Sequence, residues 1–190
     1  MSDSLQPLSD SLKGIDLTTH PPVEKWNPAY VGEIDIVIKA DGTWLHEGGE
    51  FQRDSLVKLF ASVLWFENGQ HYLKTPAEKM LINVEEAAFF VHVLDVIDAG
   101  TDQQQLVFTT TYGDRVLADA EHAIVVEEDS VTGAPKPYLE MRYGMRAKLS
   151  RNVFYQLAEL AVLKASDNEQ ASEVLVVHSA GEEFVLGFAE

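Results

Sequence analysis

Two segments of this chain open on an arginine and then place apolar residues on a helical repeat: RDSLVKLFASVL from Arg53 and RNVFYQLAELAVL from Arg151. In the first, Leu56, Leu59, Phe60, Val63 and Leu64 recur at spacings of three and four. In the second, Phe154, Leu157, Ala158, Ala161 and Val162 do the same. A stripe of that period gives a helix one apolar face, which must be buried against another layer. Each helix is followed by apolar runs broken at a glycine, Asn68-Gly69 in WFENGQHYL and Gly181 in VVHSAGEEFVL, and both are hairpin signals. The chain therefore reads as hairpin, helix, hairpin, written twice. The two glycines lie further apart than the two arginines, which fits an insertion in the polar stretch KASDNEQASE.

The rest of the pattern supplies the sheets. IDIVIK alternates, with Ile34, Ile36 and Ile38 on one face, and Asp41-Gly42 turns the chain into TWL. TPAE reads as a brief helical start, with Thr75 as cap, Pro76 in the first position and Glu78 closing a capping box, before KMLINVEE returns to strand. AFFVHVLDVI and LVFTTTY are long β-rich runs, and HAIVVE pairs with PYLEMR across DSVTGAPK. The second helix is expected over Arg151 to Lys164 with Ser150 as N-cap. The expected fold class is α+β: two related units, each a small antiparallel hairpin sheet packed on one helix, with the second enlarged. The expected divisions are a polar tail over 1–20, one unit over 21–88 and another over 89–190.

Charge narrows the functions. The chain has 190 residues, 14 basic against 31 acidic, and a net charge of −17. Such a field repels a phosphate backbone, so nucleic acid is not an expected partner. Without cysteine there is no disulfide, thiol chemistry or cysteine metal site. No apolar run is long enough to span a membrane, and MSDSLQPLSDSLKG lacks the basic start and apolar block of a secretory signal. A cytoplasmic location is expected.

Several ordered strings carry a resemblance: EKWNPAYVGEIDIVIKADGTW, TPAEKMLINVE, TTYGD and PYLEMRYGMRAKLSRNVFYQL. From about Pro21 onward the chain resembles the proteobacterial family called domain of unknown function 1285. The resemblance implies a two-part α+β fold with repeated motifs, no established reaction, and a ligand-binding or signal-transduction role. One departure is Tyr112, where a smaller polar residue is commoner before Gly113-Asp114.

The candidate chemistry lies in the basic residues. MRYGMRAKLSR holds Arg142, Arg146, Lys148 and Arg151 without an acid. In an extended segment Arg142, Arg146 and Lys148 share a face, and Arg151 enters at a helix N-terminus, where free N–H groups favour an anion. Arg53 stands at the equivalent point of the first helix. Both arginines oppose the helix dipole, so each is expected to reach a carboxylate or carbonyl elsewhere. Lys79 is available beside the TPAE turn, and Trp26, in the stiff lead-in HPPVEKWNP, is placed to close over a cleft. The candidate ligand-binding set is Arg53, Lys79, Arg142, Arg146, Arg151 and Trp26, taking a small anion at the junction of the units. The competing reading is that these cations neutralise local acids and stitch a structural or protein-interaction module together. The six histidines show no metal spacing, and no P-loop or GxSxG occurs. No catalytic residue, metal or cofactor is expected. The expectation is a non-enzymatic module, with exposed strand edges making a homo-oligomer a candidate assembly.

Overall fold

A computed structural model describes residues 5–13, 20–165 and 173–189. Contacts divide the chain between Ala88 and Phe89 into two compact units. The first contains α1 (Gln6–Ser11), a 3-10 turn at Val23–Lys25, β1 (Tyr30–Ile38), β2 (Trp44–His46) and β3 (Gly49–Glu50). It continues with α2 (Asp54–Ser62), β4 (Leu64–Glu67), β5 (Gln70–Lys74) and β6 (Glu78–Val84). The second begins with β7 (Phe89–Ile97), β8 (Gln105–Thr110), β9 (Arg115–Leu117), β10 (Ile124–Glu128) and β11 (Pro135–Glu140). A 3-10 turn at Arg142–Gly144 leads to β12 (Arg146–Leu149), α3 (Arg151–Leu160), β13 (Val162–Ala165), β14 (Glu173–Ser179) and β15 (Glu182–Ala189).

The expected α+β class, with one helix per unit, is corrected by this arrangement. The chain is mostly β. Its first unit carries two helices, and its two main sheets are six-stranded and mixed rather than small and antiparallel. The repetition lies in the sheets. The first runs β3-β2-β1-β6-β5-β4 and the second β10-β11-β12-β7-β8-β9, so each places its first and last strands side by side at the centre. In both, that central pair is parallel and every other pairing is antiparallel. The helices do not share this equivalence. α2 lies between the third and fourth strands of its sheet, whereas α3 follows the sixth and leads into a separate sheet, β13-β14-β15. Arg53 and Arg151 thus open similar helices at different points of the two units.

Local signals explain most elements. Asn68 and Gly69 both take positive φ (52° and 78°), the geometry that a two-residue hairpin between twisted strands requires. α2 buries Val57, Phe60 and Ala61, and Val63 and Leu64 are buried just beyond it. α3 buries Val153 and Leu157 and ends at Leu160 rather than Lys164. Ser150 caps it as expected, accepting a hydrogen bond from the Val153 N–H at 3.4 Å. The residues expected to end the helical stripe, Val162 onward, form the exposed edge strand β13 instead. TPAE forms no helical turn. Thr75 Oγ1 accepts from the N–H groups of Ala77 and Glu78, and the Thr75 N–H donates to the Glu78 carbonyl, closing a tight turn between β5 and β6. Within the expected polar tail, Leu5, Leu8 and Leu12 are buried along α1. Most of the expected insertion KASDNEQASE lies outside the described residues.

The first unit's core gathers Leu8, Val23, Ile36, Ile38, Phe60, Leu64 and Leu73. The second's gathers Phe89, Val91, Leu106, Phe108, Leu139, Met145 and Leu157. The three-stranded sheet is tied to its neighbour by two polar side chains. Ser179, fully buried, accepts from the Leu106 N–H (2.9 Å) and donates to the Ala118 carbonyl (2.7 Å). Gln104 donates to the His178 carbonyl at 2.7 Å and accepts from the Gly100 N–H at 2.9 Å.

Candidate functional site

The two parallel seams differ in register. In the second unit Phe89, Phe90 and Val91 face Ala147, Lys148 and Leu149 one for one. In the first, Glu33 faces Leu81 but the next pair is Val37 with Asn83, so β1 spends two residues more than β6 over the same step. Ile34, Asp35 and Ile36 therefore have only Ile82 across from them on β6, and bulges of this kind re-aim side chains and interrupt pairing. A cleft of about 600 Å³ opens beside it. Its walls are Glu33–Ile36 of β1, Leu81–Val84 of β6, and Gly69, Gln70 and His71 at the start of β5. Glu33, Asp35, Gln70 and Asn83 are exposed, while His71 is partly buried with its ring 4.7 Å from that of Phe66. Burial pushes the His71 pKa below the usual histidine value, because desolvation disfavours the imidazolium.

The basic residues singled out from the sequence are placed elsewhere, each set within its own unit. Arg142 is not extended: the turn at Arg142–Gly144 puts Tyr143 (φ 60°) and Gly144 (φ 73°) in the left-handed region, which removes Arg142 from the shared face. Its Nη1 donates to Asp114 Oδ2 at 3.2 Å, and its guanidinium lies 4.7 Å from the Phe89 ring centroid. Both partners are mostly buried, at 15% and 16% side-chain exposure. Arg146, on β12, donates from Nε to Glu140 at 2.8 Å and from Nη1 to Glu127, above the Tyr138 ring. The Glu127 hydrogen bond is the main cause of its raised pKa. Lys79 donates to Glu67 at 2.6 Å with its Nζ 4.7 Å from the Tyr72 ring centroid. That hydrogen bond is the first cause of the lowered Glu67 pKa.

Arg151 is the exposed first residue of α3, and Arg53 the exposed residue just before α2. Neither makes an ion pair with a described residue. Arg53 lines a smaller hollow of about 320 Å³ with Leu5, His46, Glu50, Phe51, Gln52 and Leu56. Trp26 is half-buried, and its backbone N–H donates to the Val23 carbonyl at the close of the 3-10 turn. The structure brings Arg142 to Asp114 and Arg146 to Glu127 and Glu140, but it does not join them in one cluster.

One cation escaped the sequence reading. Lys74 is 7% exposed, with its Nζ 3.9 Å from the Trp65 ring centroid and Lys79 directly opposite on β6. Burial lowers its pKa, Glu67 works in the opposite direction, and Lys79 adds to the lowering. The signal was present as parity: Lys74 is two residues from Tyr72, which pairs with Trp65. The cleft's acids had a signal as well, since Glu33 and Asp35 alternate with the isoleucines of EIDIVIK. The register excess between β1 and β6 has no such signature. Among the described residues, no group of three or more His, Asp or Glu side chains is placed to hold a metal ion, and no helix is long and apolar enough to cross a membrane.

Comparison with known proteins adds the following. Residues 21–87 match the model described as "Domain of unknown function (DUF1285), N-terminal domain", and residues 88–186 the one described as "Protein of unknown function (DUF1285), C-terminal domain". The chain belongs to the DUF1285 family. A DUF1285 family protein of Silicibacter pomeroyi DSS-3, solved by crystallography, is 35% identical, with a TM-score of 0.83 over 96% of this chain and 94% of that one. A second DUF1285 family crystal structure, from Shewanella baltica OS155, shares the fold at 24% identity and a TM-score of 0.51, over 66% of this chain and 91% of that one. No curated protein matches the chain. Neither DUF1285 description names a reaction or a ligand.

Proposed function

We propose that this chain is a non-enzymatic binding module whose first unit takes a small molecule into the cleft beside β1. The observation that carries this reading is the contrast between the seams. β7 and β12 hold the same topological position as β1 and β6 and pair without offset, so the strand order itself demands no bulge. The first unit carries one nevertheless, and a cleft of about 600 Å³ lies there, within the size range of small-molecule sites. The non-enzymatic part is supported by how reactive groups are occupied. Ser179 spends both ends of its hydroxyl on backbone, His122 sits against Asp119 in a local turn, and Lys74 lies on Trp65. Arg142, Arg146 and Lys79 already meet carboxylates, which supports placing the ligand away from them.

A thermal-shift screen of small metabolites on the full chain tests the reading, because a ligand that binds the native state alone raises its melting temperature. The stabilisation should vanish in Asn83→Trp, which fills the opening from an exposed position, and survive Arg53→Ala and Arg151→Ala. Stabilisation that survives Asn83→Trp and disappears with Arg151→Ala would return the site to the basic stretch.

A second reading, a module that pairs with another copy of itself, is favoured by β13. All four of its residues are exposed, including Val162 and Leu163, and it is an edge strand. Lysine on an edge normally discourages pairing, but Lys164 folds back onto Glu183 of β15 at 2.6 Å. Light scattering should then show a dimer that Leu163→Lys dissociates. A monomer at every concentration would discard it.

A further inference from the structure

We infer that the cleft beside β1 is selective for a small organic amine, an aliphatic di- or polyamine; this rests on the cleft reading above and names its ligand class. Two kinds of lining residue lead there. The ionisable groups are Glu33 and Asp35, which are acids, and His71; no lysine or arginine lines the opening. Gln70 and Asn83 add amide oxygens, which accept hydrogen bonds from ammonium. Of the apolar lining residues, Ile34, Leu81 and Val84 are partly exposed and offer contact to a methylene chain, while Ile36 and Ile82 are buried behind them. A carboxylate-bearing ligand would meet like charge here, and a neutral polyol would leave the apolar walls unused.

His71 fits the same chemistry. Its half-buried ring rests on Phe66, and burial favours the neutral imidazole, which accepts hydrogen bonds and does not repel a cation. Glu33 and Asp35, two positions apart on β1, share one face of the strand, and both line the opening beside the register shift.

The general attraction of a chain of −17 for any polycation must be separated from a site. Spermidine and putrescine, with citrate and glucose as anionic and neutral probes, are titrated into the full chain and followed by amide chemical shifts and calorimetry. Spermidine should move the resonances of residues 33–36, 69–71 and 81–84 saturably. The double variant Glu33→Gln, Asp35→Asn should weaken its affinity by roughly tenfold or more. Asp98→Asn with Asp102→Asn removes the same charge from an exposed loop of the other unit and should leave affinity unchanged. Equal losses in both variants would reduce the effect to general ion attraction and overturn the proposal. If citrate or glucose moves the cleft resonances and the amines do not, the amine class is wrong while the cleft remains a site. If no probe moves them, and shifts fall elsewhere, the cleft reading fails with it. Unchanged circular dichroism melts in the absence of ligand confirm that the amide variants fold.

Discussion

Ser179 sits with 0% of its surface exposed and spends its hydroxyl on two backbone groups, one in β8 and one just past β9. Ser179→Ala therefore leaves a buried N–H and a buried carbonyl without that bridge, at a cost of about 2 kcal/mol or more. Urea unfolding should show the loss, and Ser179→Cys should restore little, because a thiol donates and accepts weakly. His71 couples the stability of the fold to pH. Its pKa is lowered in the folded chain, so the unfolded chain binds the proton more readily. Stability should be complete above the unfolded value of about 6.5 and fall as pH drops through it. His71→Gln should flatten the urea midpoint across that window; an unchanged slope would remove His71 from the account. Residue-level legibility was uneven for a physical reason. Ser150 was readable as a cap because its partner is three residues away. Arg142 was misread because parity assumes extended backbone, and Tyr143 turns left-handed instead.

Hairpins were the most legible elements, since their signal is confined to two residues. Asn68-Gly69 and Asp41-Gly42 both mark turns between paired strands. The β14–β15 turn uses Ala180 at φ 51° before Gly181 at φ 84°. An alanine gains nothing from the left-handed region, where asparagine is favoured. Ala180→Asn keeps the backbone N–H bonded to the Gln104 carbonyl and should raise stability by about 0.5–1 kcal/mol, readable as a higher melting temperature. A lower melting temperature would mean that its surroundings reject the larger side chain. Helix ends and strand order were less legible. The stripe through Ala161 and Val162 is compatible with helix or strand over so short a run, and pairing with β14 decided for strand. α1 was overlooked because its three leucines are diluted by serine and aspartate, which lower the average without changing the period. The parallel seams were unreadable because they join strands distant in sequence.

At the scale of the molecule, the three tryptophans, Trp26, Trp44 and Trp65, all belong to the first unit, so their fluorescence reports that unit while circular dichroism reports both. Asp114→Ala takes a carboxylate from a mostly buried guanidinium in the second unit, at about 2 kcal/mol. The dichroism transition should move to lower urea ahead of the fluorescence transition. Coincident shifts would mean that the two units unfold as one cooperative block.

The seam between β1 and β6 also has a mechanical side. Because these neighbours run parallel, the first strand enters the sheet at one end and the last leaves it at the other. A pull on the two ends of the first unit therefore loads the hydrogen bonds of that seam together, in shear, instead of opening them singly like a zipper. Resistance to force should concentrate in the six paired positions on either side of the bulge, from Tyr30–Glu78 to Ile38–Val84. The place where the unit opens its cleft is then also the place where it bears tension, and a molecule seated there would change the force at which the unit gives way.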